Sequence, residues 1–89
     1  MKIARVTGTV NGTVKDSQLT GFALLVADVE DGRGELLEKA VVAVDTCGAG
    51  VGDLVLIVTG SAARTVTKVG GAPVDAAVTA IIDKVDVTT

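Results

Sequence analysis

Apolar and polar positions alternate from the first residues of the chain. Ala4, Val6, Gly8 and Val10 fall on one parity and Arg5, Thr7 and Thr9 on the other. That is the period of a strand with one face buried, and it predicts a first strand over 2–14. Gly8 and Gly12 inside it predict a bend or bulge, as at a barrel corner. Residues 15–21 are polar and read as a loop. A second strand is expected over 22–29, apolar on both faces through Leu24, Leu25 and Val26. Asp31-Gly32 then signals a turn, with positive φ expected at the glycine. A third strand follows over 39–45, a glycine-dense loop over 46–52 and a fourth strand over 53–59. The fourth, Leu54-Val55-Leu56-Ile57-Val58, is apolar enough to be covered on both sides. Residues 60–64 suit one helical turn with Ser61 as its N-cap. Residues 65–72 read as a loop, and 73–77 as a helical turn or a strand entry. The last strand is expected over 78–87, with Ile81, Val85 and Val87 on its apolar face. Five strands in 89 residues predict one all-β domain, 1–89, curled into a small barrel, because closure removes exposed strand edges.

Composition supports this and narrows the function. Valine occurs 17 times and threonine 11 times, and both fit a pleated surface better than a helix. Phe22 is the single aromatic residue and histidine is absent. Binding of single-stranded nucleic acid on stacked aromatics is therefore not expected, nor is histidine acid–base chemistry or a histidine metal site. A formal charge of −3 has the wrong sign for neutralising phosphates or an anionic membrane surface. Arg5, Thr7 and Thr9 interrupt the apolar core that a signal peptide needs, and no run is long enough for a spanning helix. One cysteine leaves no disulfide within the chain and no cysteine-rich zinc site, and fits a reducing cytosol. A mean hydropathy of +0.57 is high for a small monomer, which predicts burial in an oligomer.

Candidate chemistry is sparse. The loop Gly48-Ala49-Gly50-Val51-Gly52 follows a strand, as a dinucleotide-binding loop would. Its spacing is G-x-G-x-G instead of G-x-G-x-x-G, and the next segment is β-branched, so no helix N-terminus is expected to hold a phosphate. The glycines then point to positive φ or to close approach of another backbone. Cys47 has no base near it in sequence to lower its pKa and reads as a small buried hydrophobe. Ser61 lacks the G-x-S-x-G context and histidine partner of a nucleophile elbow. Arg64 is a candidate for a carboxylate pair within the fold or across an interface. Asp28, Glu30, Asp31, Glu35 and Glu38 cluster near the turn without calcium-loop spacing and read as a solvated hairpin. Asp45, Asp53, Asp75 and Asp83 sit at strand ends, where carboxylates accept loop N–H groups. No catalytic residue, cofactor site or metal site is expected.

Four stretches in fixed order carry a resemblance to a known family. They are Ile3-Ala4-Arg5-Val6-Thr7-Gly8-Thr9-Val10 with Lys15; Asp45-Thr46-Cys47-Gly48-Ala49-Gly50-Val51-Gly52-Asp53-Leu54-Val55-Leu56; Gly60-Ser61-Ala62-Ala63-Arg64; and Pro73-Val74-Asp75-Ala76-Ala77-Val78 with Ile81-Ile82-Asp83. The set resembles the bacterial microcompartment vertex proteins of the EutN/CcmL type. The resemblance implies a five-stranded OB-like β-barrel with one or two short helical turns. It implies a non-enzymatic shell protein whose homopentamer caps the vertices of a polyhedral shell in the bacterial cytoplasm, beside hexameric and trimeric shell proteins. On that reading Gly48, Ala49, Gly50, Gly52 and Asp53 lie at subunit contacts near the fivefold axis, and Arg64 is a candidate for an interface ion pair. Asp53 stands where the family commonly has Glu, Ala62 where a second Ser is common, and the 65–72 loop is less polar than usual. The alternative reading is an OB-type module that binds a small ligand or nucleic acid.

Overall fold

Five β-branched and apolar runs become five strands, and two of the connections, over 31–35 and 46–53, are organised by aspartate and glycine. The computed structural model describes residues 1–10, 22–65 and 75–88. In β1 (Lys2–Val10) the alternation holds: Ala4 and Val6 are buried while Arg5, Thr7 and Thr9 are exposed. The register against the next strand slips between Val6 and Gly8, so the irregularity expected at Gly8 is a β-bulge. Gly12 and the rest of 11–14 lie outside the described residues.

Strand β2 (Ala23–Glu30) buries Leu25, Ala27 and Val29 inside the barrel. Its other face is apolar for a second reason. Phe22 and Leu24 join Val58 in packing against Val44, Ala63 and Ala77, a small satellite core outside the barrel wall. Strand β4 (Leu54–Thr59) is likewise two-faced, with Val55 and Ile57 fully buried within and Val58 in the satellite. The expected helical turn is a 3-10 helix, Gly60–Thr65, and its Ala63 is what closes that satellite.

Three expectations need correction. Strand β3 (Leu36–Asp45) starts three residues earlier than 39. Its register against β2 shifts between Ala27 and Val29 and again between Val29 and Glu30. The extra residues break the alternation that would have marked Leu36 to Glu38 as strand. One of them, Ala40, has a left-handed φ of 58°, and its N–H donates to Asp28 Oδ1 at 3.0 Å. In the β2–β3 turn the positive φ falls at Gly34 (90°), not Gly32. Asp31 organises that turn: its Oδ1 accepts the N–H of Arg33 at 2.8 Å and of Glu35 at 3.0 Å. These backbone bonds, Glu35 first and then Arg33, hold the Asp31 carboxyl below its ordinary value of 3.8, because they favour the charged form. The last strand, β5, is Ala76–Ile81 and not 78–87. Val85 and Val87 alternate like a strand but pack across the β2–β3 turn, where a Cβ on Gly32 would stand 2.7 Å from Val87 Cγ2.

The strands close in the order β1-β2-β3-β5-β4, with β4 back against β1. All pairs are antiparallel except β3 and β5, which pair in parallel at Val44↔Ala77 and Asp45↔Val78. This is the five-stranded OB-like barrel expected. Its interior is filled by Ala4, Val6, Leu25, Ala27, Val29, Ala43, Val55, Ile57, Ala76 and Val78. The side chains are small because a five-stranded barrel leaves a narrow lumen.

Candidate functional site

The glycine-rich loop between β3 and β4 is built as a plug with a tip. At its entry Asp45 Oδ1 accepts the Cys47 N–H at 3.0 Å. The Thr46 hydroxyl donates to the Val78 carbonyl at 2.6 Å, tying the loop to β5. Cys47 is exposed, against the expectation of a buried small hydrophobe. The turn held by Asp45 leaves its thiol at the surface, with Sγ 3.9 Å from the Val78 carbonyl oxygen.

Beyond Cys47 the chain alternates in and out. Ala49 packs against the barrel core, while Val51 is 67% exposed. Two hydrogen bonds hold the reversal between them. The Gly50 N–H donates to Asp53 Oδ2 at 2.8 Å, and the Asp53 N–H donates to the Gly50 carbonyl at 3.0 Å. Asp53 therefore acts as the N–H acceptor expected of it. Gly48 and Gly52 have left-handed φ of 75° and 96°, where an L side chain would be strained by about 1–2 kcal/mol. Gly50 differs. It is not among the left-handed residues, and a Cβ on it would meet its nearest neighbour, Asp53 Oδ2, at an ordinary 3.9 Å. Among the described residues, nothing in its own chain requires glycine at position 50.

The loop is fastened to β1. Val6 N–H donates to the Asp53 carbonyl and Gly52 N–H donates to the Val6 carbonyl, both at 2.9 Å. Arg5 Nη1 donates to the Gly52 carbonyl at 2.9 Å, and Arg5 Nε lies 3.8 Å from Glu30 Oε2. Arg5 was not legible as part of this site, because 47 residues separate it from Gly52. Arg64 is placed on the 3-10 helix, but its side chain lies outside the described residues. So does the Ser61 side chain that would cap that helix.

Chemically the loop is bland. A strand follows it, so no helix N-terminus is available to a phosphate. Among the described residues no group of three or more His, Cys, Asp or Glu is placed to hold a metal. Among the described residues no helix is long and apolar enough to cross a membrane. A shallow groove of about 350 Å³ runs between the start of β1 and β3, edged by Lys2, Glu38, Val42, Thr59 and Asp75. Its cation and one of its carboxylates are already paired, Lys2 Nζ to Glu38 Oε1 at 3.2 Å. What the surface does offer is aliphatic: Leu36, Leu37, Val42 and Val51 are all exposed.

Comparison with known proteins bears on these features. The family described as "Ethanolamine utilisation protein EutN/carboxysome" matches residues 1–83. The carboxysome shell vertex protein CcmL of Thermosynechococcus vestitus is 51% identical over 85 residues, covering 96% of this chain and 86% of that protein. The bacterial microcompartment shell vertex protein EutN of Escherichia coli is 41% identical over 85 residues, covering 96% and 90%. Among solved structures, the GrpN pentameric microcompartment shell protein from Rhodospirillum rubrum is similar with a TM-score of 0.86 at 37% identity. That match covers 98% of this chain and 100% of that one.

Proposed function

The chain belongs to the EutN/CcmL family, and from that premise we propose that it is a structural subunit whose cyclic homopentamer caps the vertices of a bacterial microcompartment. The observation that carries the reading to particular residues is the loop of residues 48–52. Among the described residues, nothing in its own chain requires glycine at position 50, while Val51 beside it stands into solvent. Both features make sense where another subunit's backbone approaches. In a heterologous ring each loop meets a different patch on the next copy, and five such contacts close because the rotation closes. Gly48, Ala49, Gly50, Gly52 and Asp53 are then contact residues near the fivefold axis, with Arg64 a candidate partner for a carboxylate across the interface. The exposed aliphatics of β3 become buried area.

The protein does no chemistry on this reading. It sits in the bacterial cytoplasm as part of the shell, beside hexameric and trimeric shell proteins. The test is native mass by light scattering after size exclusion, over a range of concentrations. Five chains of 8.9 kDa give a ring of about 44.5 kDa. A stable species at that mass supports the ring. A monomer at every concentration removes it and leaves the OB-type binding module as the reading, to be followed with a labelled single-stranded oligonucleotide at low salt.

A further inference from the structure

We infer that Arg5 is a positioning residue for this loop, setting the height at which Val51 stands out from the end of the barrel. The inference rests on the reading of the loop as a subunit contact, and adds the device that orients it. The β1–β4 ladder runs to Arg5↔Leu54 and is continued by the two backbone bonds between Val6 and residues 52–53. Those bonds fix where the loop rejoins β4. They do not hold the Gly52 carbonyl, which belongs to the peptide whose N–H, that of Asp53, closes the reversal carrying Val51 on Gly50, and the left-handed Gly52 (φ 96°) lets that peptide turn at little cost.

Arg5 removes that freedom. It lies on the outward face of β1, where alternation alone would assign a solvated side chain. Its guanidinium reaches the Gly52 carbonyl at 2.9 Å, while its Nε faces Glu30 Oε2, at the end of β2, at 3.8 Å. The planar group thus bridges from the neighbouring strand, across β1, to the loop. A guanidinium suits this task because its donors lie in one rigid plane, so fixing one edge on Glu30 aims the other at Gly52. Without it the Gly52 carbonyl turns to water and the tip is free to tilt.

A ring amplifies a small tilt. Loss of one exposed charge-assisted bond is worth about fivefold in an equilibrium. All five contacts enter the association constant, and the ratio of ring to free protomer rises as the fourth power of free protomer, so the half-assembly concentration, which goes as the inverse fourth root of that constant, rises by about sevenfold. The experiment compares wild type, Arg5→Ala, Arg5→Lys and Glu30→Gln. It reads mass across a dilution series together with amide exchange at Gly50 and Asp53, whose N–H groups close the reversal. The expected result is a half-assembly concentration raised about sevenfold in Arg5→Ala, with faster exchange at both amides. Arg5→Lys, which keeps a charged donor but not the rigid plane, recovers only part of both. Glu30→Gln shifts them less than Arg5→Ala does. If wild type forms the ring and Arg5→Ala changes neither readout, the inference is wrong. It is equally wrong if Arg5→Lys matches wild type in both readouts, since a donor without the rigid plane then suffices. If wild type does not form the ring, the proposed function fails, and unchanged amide exchange in Arg5→Ala is what then overturns the role of Arg5.

Discussion

Gly32→Ala adds one methyl group at a point where the structure has no room for it. The new Cβ would stand 2.7 Å from Val87 Cγ2 and 3.6 Å from Val85 Cγ1. Aliphatic carbons rest at about 3.5–4.0 Å, so roughly 1 Å must be found. Either the turn moves or the C-terminal segment does. The turn is tied by the Asp31 carboxylate to two backbone N–H groups, and by the Asp31 N–H to the Glu35 carbonyl at 2.9 Å. The segment after β5 begins from one backbone bond, Ile82 N–H to the Leu54 carbonyl at 2.8 Å, and its Val87 is 45% exposed. Overpacking a rigid site costs about 1–3 kcal/mol. Releasing a valine that is only half buried forfeits about 1 kcal/mol. The cheaper route wins, so Gly32→Ala lowers stability by no more than about 1 kcal/mol, or about 4–8 °C in a domain of this size. The change is local: the Val85 and Val87 methyl resonances move toward free-chain positions while those of Val55 and Ile57 stay. Gly32→Ala/Val87→Ala makes room again and is more stable than additivity of the two single changes allows. Unmoved Val87 methyls, or a loss above about 3 kcal/mol with core methyls shifting, would show that this packing has been misjudged.

Other consequences can be measured with the same material. Gly50→Leu is expected to abolish the species near five chains' mass while leaving thermal stability at low concentration within about 1 kcal/mol, since among the described residues nothing in its own chain crowds that position; intact rings in that variant would remove the loop from the interface. Ala40→Gly relieves the left-handed φ of 58° and should raise the denaturant midpoint by the equivalent of about 0.5 kcal/mol, whereas Ala40→Val should lower it by about 1–2 kcal/mol. Equal midpoints for the two would contradict the bulge geometry. The Asp31 carboxyl is held below 3.8 in the folded chain, so it binds fewer protons there than when unfolded. Its contribution is fully present above 3.8 and is lost as pH falls through the lowered value. Wild type should therefore lose stability more steeply than Asp31→Asn below about pH 4, and parallel acid titrations of the two thermal midpoints would refute this.

Where side chains obey one period, this fold could be read from residues alone. Ala4 and Val6 against Arg5 and Thr7 placed β1, the paired faces of β4 predicted its double cover, and Gly8 marked a bulge. The reading failed where a local pattern was broken or imitated. Two register shifts in β3 make Leu36-Leu37-Glu38 look unlike a strand, and Val85-Asp86-Val87 looks like one while finding its partner in a turn. Asp31-Gly32 was the stronger turn signal, yet the positive φ lies at Gly34; only the structure tells a glycine kept for φ from one kept for space. At the site, the loop and the carboxylate of Asp53 were legible because their bonds are local. Arg5 was not, because its bond depends on which strands lie next to one another after closure, and the exposure of Cys47 was not, because a sequence does not mark which side chain of the turn held by Asp45 the barrel covers.

The parallel β3–β5 junction has a consequence for how the chain is made. Strands β1 to β3 pair with their neighbours in sequence and can zip up as they leave the ribosome. Strand β4 can then join β1. Until residues 76–81 emerge, however, the facing edges of β3 and β4 both lack their partner, and they expose backbone N–H and C=O groups that invite pairing with other chains. Only the last strand closes the gap, and it meets β3 at two residue pairs, Val44↔Ala77 and Asp45↔Val78, reinforced by the Thr46 hydroxyl. The interval between synthesis of β4 and release of β5 is therefore when a nascent chain is most exposed to aggregation, and a chain stopped before residue 76 carries both open edges permanently.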